Sequence, residues 1–274
     1  YWPFSPFYFD IYSPLINING IEIKNSSINV SYKNDIITFD SFEGDLNEGK
    51  FKLFGKINLD NKNYFDVTGK FKNISLNTIL NQLDIAVWER LTVKLTSNNF
   101  NINGYAENKN SILKSLSGKV KISGSAYLIT SDEERFGAAL LSILVEKLPS
   151  IASVSKSVNF VINTYGNVPT SIEGVLDINE GKISSKNIDI KNDYGKSSLI
   201  ASLDLINKNV DGKIIFFEND EVFLEALLNG DINNPKILID GEIFGDKNST
   251  PKDIKKIFEE GISSLIDNLL NINE

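Results

Sequence analysis

The chain has 274 residues, with 28 basic and 36 acidic side chains, a formal net charge of −8, and no His, Cys or Met. A hydrophobic fraction of 41% supports a folded core and excludes a disordered chain. The missing His and Cys exclude disulfides, thiolate and imidazole catalysis, and His/Cys metal sites. A sequence pI near 4.8 argues against binding nucleic acid through net charge.

Most of the chain alternates apolar and polar residues with a period of two, beginning with Ile28, Val30 and Tyr32. This alternation predicts strands with one buried and one solvated face. Turn residues such as Asn19-Gly20 and Glu180-Gly181 separate the runs at short intervals. Such spacing favours antiparallel hairpins over parallel strands joined by helices.

Glycines recur in phase with the apolar residues of these strands, each flanked by apolar residues two positions away. They lie at Gly55, Gly69, Gly124, Gly174, Gly230 and Gly241. Glycine weakens a strand unless a bend, a bulge or a close neighbour needs the space. Two interpretations remain open: repeated bends that curl the sheet towards its apolar side, or independent bulges with no shared purpose.

Three stretches break the period of two and predict helices: 75–83, 132–148 with a continuation at 150–158, and 250–271. Ser75 and Thr250 stand at the expected N-cap positions, and Pro251 occupies the first helical position of the last segment. The apolar stripes of the longer helices fit packing on the sheet. They also fit, less well, a membrane surface, while the last stripe is too short for a coiled coil.

A search for catalytic patterns finds no phosphate-binding glycine loop and no calcium loop. Carboxylate pairs remain available, but 132–134 has the composition of a charged helix start, and Asp189 and Asp193 fit a polar strand face. We therefore expect no catalytic residues, no metal and no cofactor. We predict a protein that is not an enzyme and works through its shape and its apolar surface.

From residue 117 onwards the order of features resembles the C-terminal region of AsmA-like proteins. The resemblance begins with SGKVKISG at 117–124 and continues with VNF at 158–160 and IEGVLDINEGKI at 172–183. It extends through LIASLDL at 199–205, where alanine replaces the usual glycine, and LNGDINNPK at 228–236. Upstream, the strands and short helix of 39–83 fit the same family less specifically.

This resemblance implies an inner-membrane protein of a diderm bacterium whose body lies in the periplasm. The family's N-terminal transmembrane helix is not in this sequence. Because the chain begins with Tyr1 and contains no Met, we expect a processed or excised part of a longer protein. The family body is a long β-sheet folded lengthwise into a groove, and the family is associated with phospholipid passage towards the outer membrane and with outer-membrane integrity.

We therefore predict an α+β fold, predominantly antiparallel β, with a long curved, groove-like sheet and a few amphipathic helices. Residues 1–116 would form an N-terminal β-rich segment, and 117–274 an AsmA-like region that ends in the helix at 250–271. The expected partners are phospholipid acyl chains and, through the missing helix, the membrane, but not nucleic acid. The candidate groove residues are Leu53, Ile57, Val67, Phe71, Ile122, Leu128, Ile172, Leu176, Leu203, Ile214, Phe216, Leu224 and Leu228.

Three other functions are compatible with the sequence. A scaffold or assembly module would have its apolar sheet face filled by its own helices. A hydrolase that uses only carboxylates would need two acids converging in a cleft. A β-solenoid adhesin would need rungs of fixed period, whereas the strand glycines are irregularly spaced.

Overall fold

The structure, a computed structural model, describes residues 6–18, 21–46, 48–60, 62–82, 90–131, 152–233, 236–239 and 252–253. These residues form one open, curved antiparallel sheet of fourteen strands, arranged in the order in which they occur along the chain. Twelve of the strands are long, and the last two are short. The predicted antiparallel β architecture with few helices is therefore confirmed.

The strands of the N-terminal part are β1 (Phe7–Ile18), β2 (Ile21–Lys33), β3 (Ile36–Leu46), β4 (Gly49–Asn58), β5 (Tyr64–Ser75), β6 (Leu91–Tyr105) and β7 (Ser117–Leu128). Those that follow are β8 (Thr170–Asn179), β9 (Lys182–Lys191), β10 (Lys196–Asp204), β11 (Asn209–Glu218), β12 (Glu221–Asp231), β13 (Lys236–Ile239) and β14 (Lys252–Asp253). The helices are α1 (Leu76–Gln82), α2 (Lys109–Ser115) and α3 (Ala152–Tyr165).

Two-residue turns join several of the hairpins. Asn34-Asp35, Glu180-Gly181 and Asn219-Asp220 each have two consecutive positive φ angles. This is the geometry of a type I′ turn, whose twist matches that of the paired strands. Asn, Asp and Gly tolerate it best, so the predicted Glu180-Gly181 turn has a direct structural basis.

Strand pairing divides the side chains into two faces of opposite character. Directly paired residues point to the same side, and the pairs Leu53↔Gly69, Val67↔Ile102, Phe100↔Val120 and Val120↔Leu176 are all apolar or glycine. The neighbouring pairs, such as Lys52↔Lys70, are polar. We call these sides the apolar face and the polar face.

Four of the in-phase glycines lie on the apolar face close to atoms of the next strand: Gly55, Gly69, Gly124 and Gly174. Gly241 lies outside the described residues. A Cβ added at Gly69 would lie 2.6 Å from the Lys52 carbonyl oxygen and 2.8 Å from Leu53 Cδ2. At Gly124 it would lie 2.2 Å from the carbonyl oxygen of Lys94. This crowding on one side fits curling of the sheet towards its apolar face, the first of the two interpretations above. Gly230, with open space around it, does not share this role.

The helices only partly match the sequence pattern. Helix α1 confirms the predicted helix at 75–83, and Ser75 Oγ accepts a long hydrogen bond of 3.5 Å from the Thr78 N–H. Helix α3 includes the described part, 152–158, of the continuation predicted at 150–158, and it extends to Tyr165. It therefore contains the VNF segment on which the family resemblance partly relied. The predicted helix at 132–148 lies outside the described residues.

Helix α2 is absent from the sequence-based prediction although its start is well marked. Asn108 Oδ1 accepts from the Ser111 N–H and Ser111 Oγ accepts from the Asn108 N–H, both at 2.9 Å, forming a capping box. At the third helical position the box has Ser in place of the usual Glu or Gln, so this segment does not match the common sequence signature of a helix start.

The predicted start of the C-terminal helix is wrong at the two residues described there. Lys252 and Asp253 are extended and pair with Ile239 and Leu238 as strand β14. Backbone pairing with the open edge of β13 outweighs the local capping pattern of Thr250 and Pro251. The remainder of 250–271 lies outside the described residues.

The predicted division between residues 116 and 117 falls between α2 and β7. The sheet continues across this point, because β6 and β7 pair from Leu91↔Leu128 to Asn103↔Ser117. A division into two segments stays a prediction, and both segments share one hydrogen-bonded sheet.

The crowding at Gly124 predicts that Gly124→Ala destabilises the protein. The added Cβ meets a backbone carbonyl of β6, and moving a paired strand costs about 1–3 kcal/mol of unfolding free energy. Urea unfolding measures this, with Ser125→Ala on the exposed face of the same strand as the control. Equal unfolding midpoints for the two variants would contradict the close approach.

Candidate functional site

Every candidate groove residue named from the sequence lies on the apolar face. They are carried by β4, β5, β7, β8, β10, β11 and β12, and strand register aligns them across the sheet. Ile172 pairs with Gly124, Leu176 with Val120, and Phe216 with Leu224. The arrangement is therefore one band of apolar side chains that crosses many strands.

A cluster of buried side chains in this band lies at the middle of the sheet. It consists of Phe100, Val120, Ile122, Ile178 and Ile188. Half-buried side chains from both directions pack against this cluster, among them five of the candidates: Leu53, Val67, Phe71, Ile172 and Leu176. The centre is thus a packed core formed by adjacent strands of a single sheet.

Towards the C-terminal strands, helix α3 covers one end of the apolar face. The Phe160 ring contacts Phe223 at 4.6 Å and Phe216 at 6.2 Å between centroids, and Tyr165 lies 6.0 Å from Phe216. The Tyr165 hydroxyl donates a 3.0 Å hydrogen bond to buried Ser197 Oγ. Burial raises the pKa of Tyr165, and the bond to Ser197 partly offsets this, so the phenol stays protonated and can donate.

The rest of the apolar band is partly exposed to solvent. Among the candidates only Ile122 and Leu224 are buried, each 3% exposed, while the others are half-buried. On β1, at the opposite edge from α3, Phe9 is 54% and Ile11 46% exposed. Apolar surface therefore remains in contact with solvent along much of the sheet.

Sequence reasoning missed the role of α3, since the contacts of Phe160 and Tyr165 join residues far apart in sequence. The available signal was the helical spacing of Val158, Val161, Ile162 and Tyr165, which continues beyond the predicted end. It also missed that lysines on the two strands of the β4/β5 hairpin lie opposite one another on the polar face, Lys50 across from Lys72 and Lys52 across from Lys70.

The acidic candidates do not converge in the part of the chain that the structure describes. Asp189 lies on the polar face, paired across strands with Glu173 and Ser198, and accepts a 3.0 Å hydrogen bond from Asn187 Nδ2. Asp193 lies in the turn between β9 and β10, and 132–134 is outside the described ranges. Within those ranges no three acidic side chains are grouped to hold a metal ion.

Comparisons with known proteins give no relative: no family model, no curated protein and no solved structure matches this chain. Membership of the AsmA-like superfamily thus stays a prediction. Within the described residues, none of the helices has the length and hydrophobicity needed to cross a bilayer.

The contacts of Phe160 predict that Phe160→Asp detaches α3 from the sheet. A carboxylate among Phe216, Phe223 and Tyr165 would lose its hydration, so the helix should undock instead. Hydrogen exchange read by mass spectrometry should become at least tenfold faster across Ala152–Tyr165. Asn163→Asp, on the exposed side of the same helix, is the control and should leave exchange unchanged.

Proposed function

We propose that this protein carries or guides phospholipid acyl chains along the apolar face of its sheet. The observation that supports this most is the continuity of that face: apolar side chains lie on the same side of the sheet from β1 to β12, across several register shifts, and are only half-buried over much of the path. A monomeric protein seldom leaves so extended an apolar surface unsealed unless something binds there.

The size of the face fits an acyl chain. Burying one methylene gains about 0.8 kcal/mol, so a chain of roughly 16 carbons needs shelter worth on the order of 10 kcal/mol outside a bilayer. Fourteen strands spaced about 4.8 Å apart give a path on the order of 65 Å long. Such a path holds a whole lipid tail and lets it slide, because apolar contacts have no directional requirement.

The cellular setting follows from the resemblance to AsmA-like proteins. On that basis we infer a non-enzymatic periplasmic body, anchored in the inner membrane of a diderm bacterium by a helix outside this chain, that serves phospholipid transport towards the outer membrane. The groove-like shape of the sheet belongs to the same proposal, and the crowded glycines of the apolar face favour it.

A scaffold or assembly module is the second candidate function. The packing of α3 over Phe216 and Phe223 favours it, because there the chain covers its own apolar face. If other parts of the chain cover the rest of the face in the same way, no lipid could enter.

Lipid extraction with paired variants tests the proposal. The purified chain is extracted, and co-purified lipid is quantified by mass spectrometry for Leu53→Asp and Leu203→Asp, whose side chains lie on the apolar face. We expect at least a fivefold loss of bound lipid, because a carboxylate in the path removes apolar contact and adds a charge that resists dehydration.

The matched controls place the same carboxylate on the polar face of the same strands. Phe54→Asp on β4 and Ile200→Asp on β10 alter residues that are 39% and 40% exposed, and both should retain lipid. Circular dichroism and urea unfolding identify any variant that fails to fold, and a competition assay with a fluorescent fatty acid then tests the wild type alone. Absence of lipid and of fatty-acid binding in the wild type would exclude transport and favour the scaffold.

A further inference from the structure

The polar face carries a concentration of lysines that the overall acidity of the chain conceals. Strands β4 to β7 contain eight lysines and one acidic residue, Asp66, a formal charge of +7 in a chain whose net charge is −8. We call these side chains the lysine patch: Lys50, Lys52, Lys56, Lys70, Lys72, Lys94, Lys119 and Lys121. Strand register places all of them on the polar face.

At the centre of the lysine patch, positively charged side chains lie directly opposite one another on paired strands. Lys50 lies directly across from Lys72, and Lys52 from Lys70. Like charges at directly opposite positions of a sheet are destabilising. The arrangement therefore costs folding free energy, which suggests that these lysines serve a purpose other than stability.

Acidic side chains at the borders neutralise only half of the patch. Lys50 lies 3.8 Å from Asp45, Lys52 3.0 Å from Glu43, and Lys119 3.4 Å from Asp177, while Lys94 pairs with Glu48. These acids lie on β3, on β8 and in the turn before β4. Among the residues that the structure describes, the other four lysines have no carboxylate within 4.0 Å: Lys56, Lys70, Lys72 and Lys121. Of these four, only Lys56 lies directly across from an acidic residue, Asp66.

A depression of about 920 Å³ lies at this point of the sheet, with Lys50, Lys52, Lys70 and Lys72 among its lining residues. Thr96 and Asn98 border it and add uncharged hydrogen-bonding groups. Glu43 and Asp45 also line the depression, so four lysines and two acids leave it a formal charge of +2. It therefore combines an excess of positive charge with space for anionic groups to approach the lysine ammonium groups.

We propose that the lysine patch docks the polar face of β4–β7 onto an anionic phospholipid surface. Four neighbouring strands make the patch about 19 Å wide, so it is a broad array suited to a surface of many phosphates. Lysine ammonium groups act as point charges, which suits attraction to a charged surface better than bidentate recognition of one phosphate. This surface lies on the side of the sheet opposite the proposed acyl-chain path and does not depend on it.

A nucleic acid is the competing anionic partner, and the contacts of three aromatic residues of this face, Phe54, Tyr64 and Tyr105, argue against it. Base stacking needs free ring faces. The Lys52 ammonium lies over the Phe54 ring, 5.5 Å from its centroid, and the Tyr64 and Tyr105 rings pack edge to face at 5.4 Å. Neither of the two arginines in the sequence, Arg90 and Arg135, belongs to strands β4 to β7.

Vesicle flotation with the full chain tests the proposal. The protein is mixed with vesicles of phosphatidylcholine alone, or with vesicles in which phosphatidylcholine exceeds added phosphatidylglycerol. We expect binding to the anionic vesicles only, and loss of it at roughly 0.5 M NaCl, where the screening length falls to about 4 Å. The test variant replaces four lysines by glutamine: Lys56, Lys70, Lys72 and Lys121.

Each lysine near an anionic surface contributes about fivefold to the partition coefficient, so the test variant should bind at least tenfold more weakly. The control variant makes the same charge change elsewhere on the sheet and should bind like the wild type. It replaces four exposed lysines by glutamine: Lys33, Lys186, Lys191 and Lys236.

Three results would overturn the proposal: equal binding to neutral and anionic vesicles, equal loss in both variants, or tighter binding to a single-stranded RNA oligonucleotide than to anionic vesicles. The last would assign the patch to nucleic acid. Co-purified lipid should be unchanged in the test variant, which separates failure of this inference from failure of the acyl-chain path.

Discussion

The alternation of side chains along paired strands is the constraint on which the rest of the molecule depends. A slip of one residue in any strand pair would turn that strand's apolar side chains to the polar face. Here the apolar side chains stay on one face through eleven consecutive pairings, β1/β2 to β11/β12, although several pairings contain register shifts. Two-residue turns such as Asn34-Asp35 and Asn219-Asp220 fix the register locally, because each permits one register only. Both proposed surfaces follow from it, one on each side of the same strands.

Irregular pairing bends the sheet, and buried serines make those irregularities compatible with an apolar face. Where register shifts, backbone carbonyls lose their partners in the ladder. Ser97 Oγ donates to the Asn99 carbonyl at 3.1 Å, and the single Ser185 hydroxyl proton is shared between the carbonyls of Val175 at 2.7 Å and Asn187 at 3.2 Å. Both serines lie beside register shifts and are at most 5% exposed. Small polar side chains thus bond to carbonyls at positions where the strand ladder is interrupted.

The sequence pattern predicted the features that depend on residues close together in the chain. Period-two alternation identified the apolar face correctly at every candidate position, from Leu53 on β4 to Leu228 on β12. It could not reveal that Lys50 meets Lys72, since that depends on the turn between β4 and β5. Nor could it place Phe160 against Phe216, which joins α3 to a strand more than fifty residues away. The short strand β14 was missed for a related reason: pairing with β13 outweighs the sequence's own capping signal.

Strands that contact only their sequence neighbours give the molecule a modular character. Because β1 to β14 follow one another in space as in sequence, the main contacts of each strand are with the two strands beside it. The folding free energy of such an array is close to the sum of contributions from each strand and from its contacts with adjacent strands. A substitution on one strand therefore disturbs mainly that strand and the two beside it. The two faces of one strand can therefore be altered separately, as with Leu53 and Phe54. The same modularity explains how an acidic chain can hold a strongly basic region on four adjacent strands: charge is balanced along the sheet and not within each strand pair.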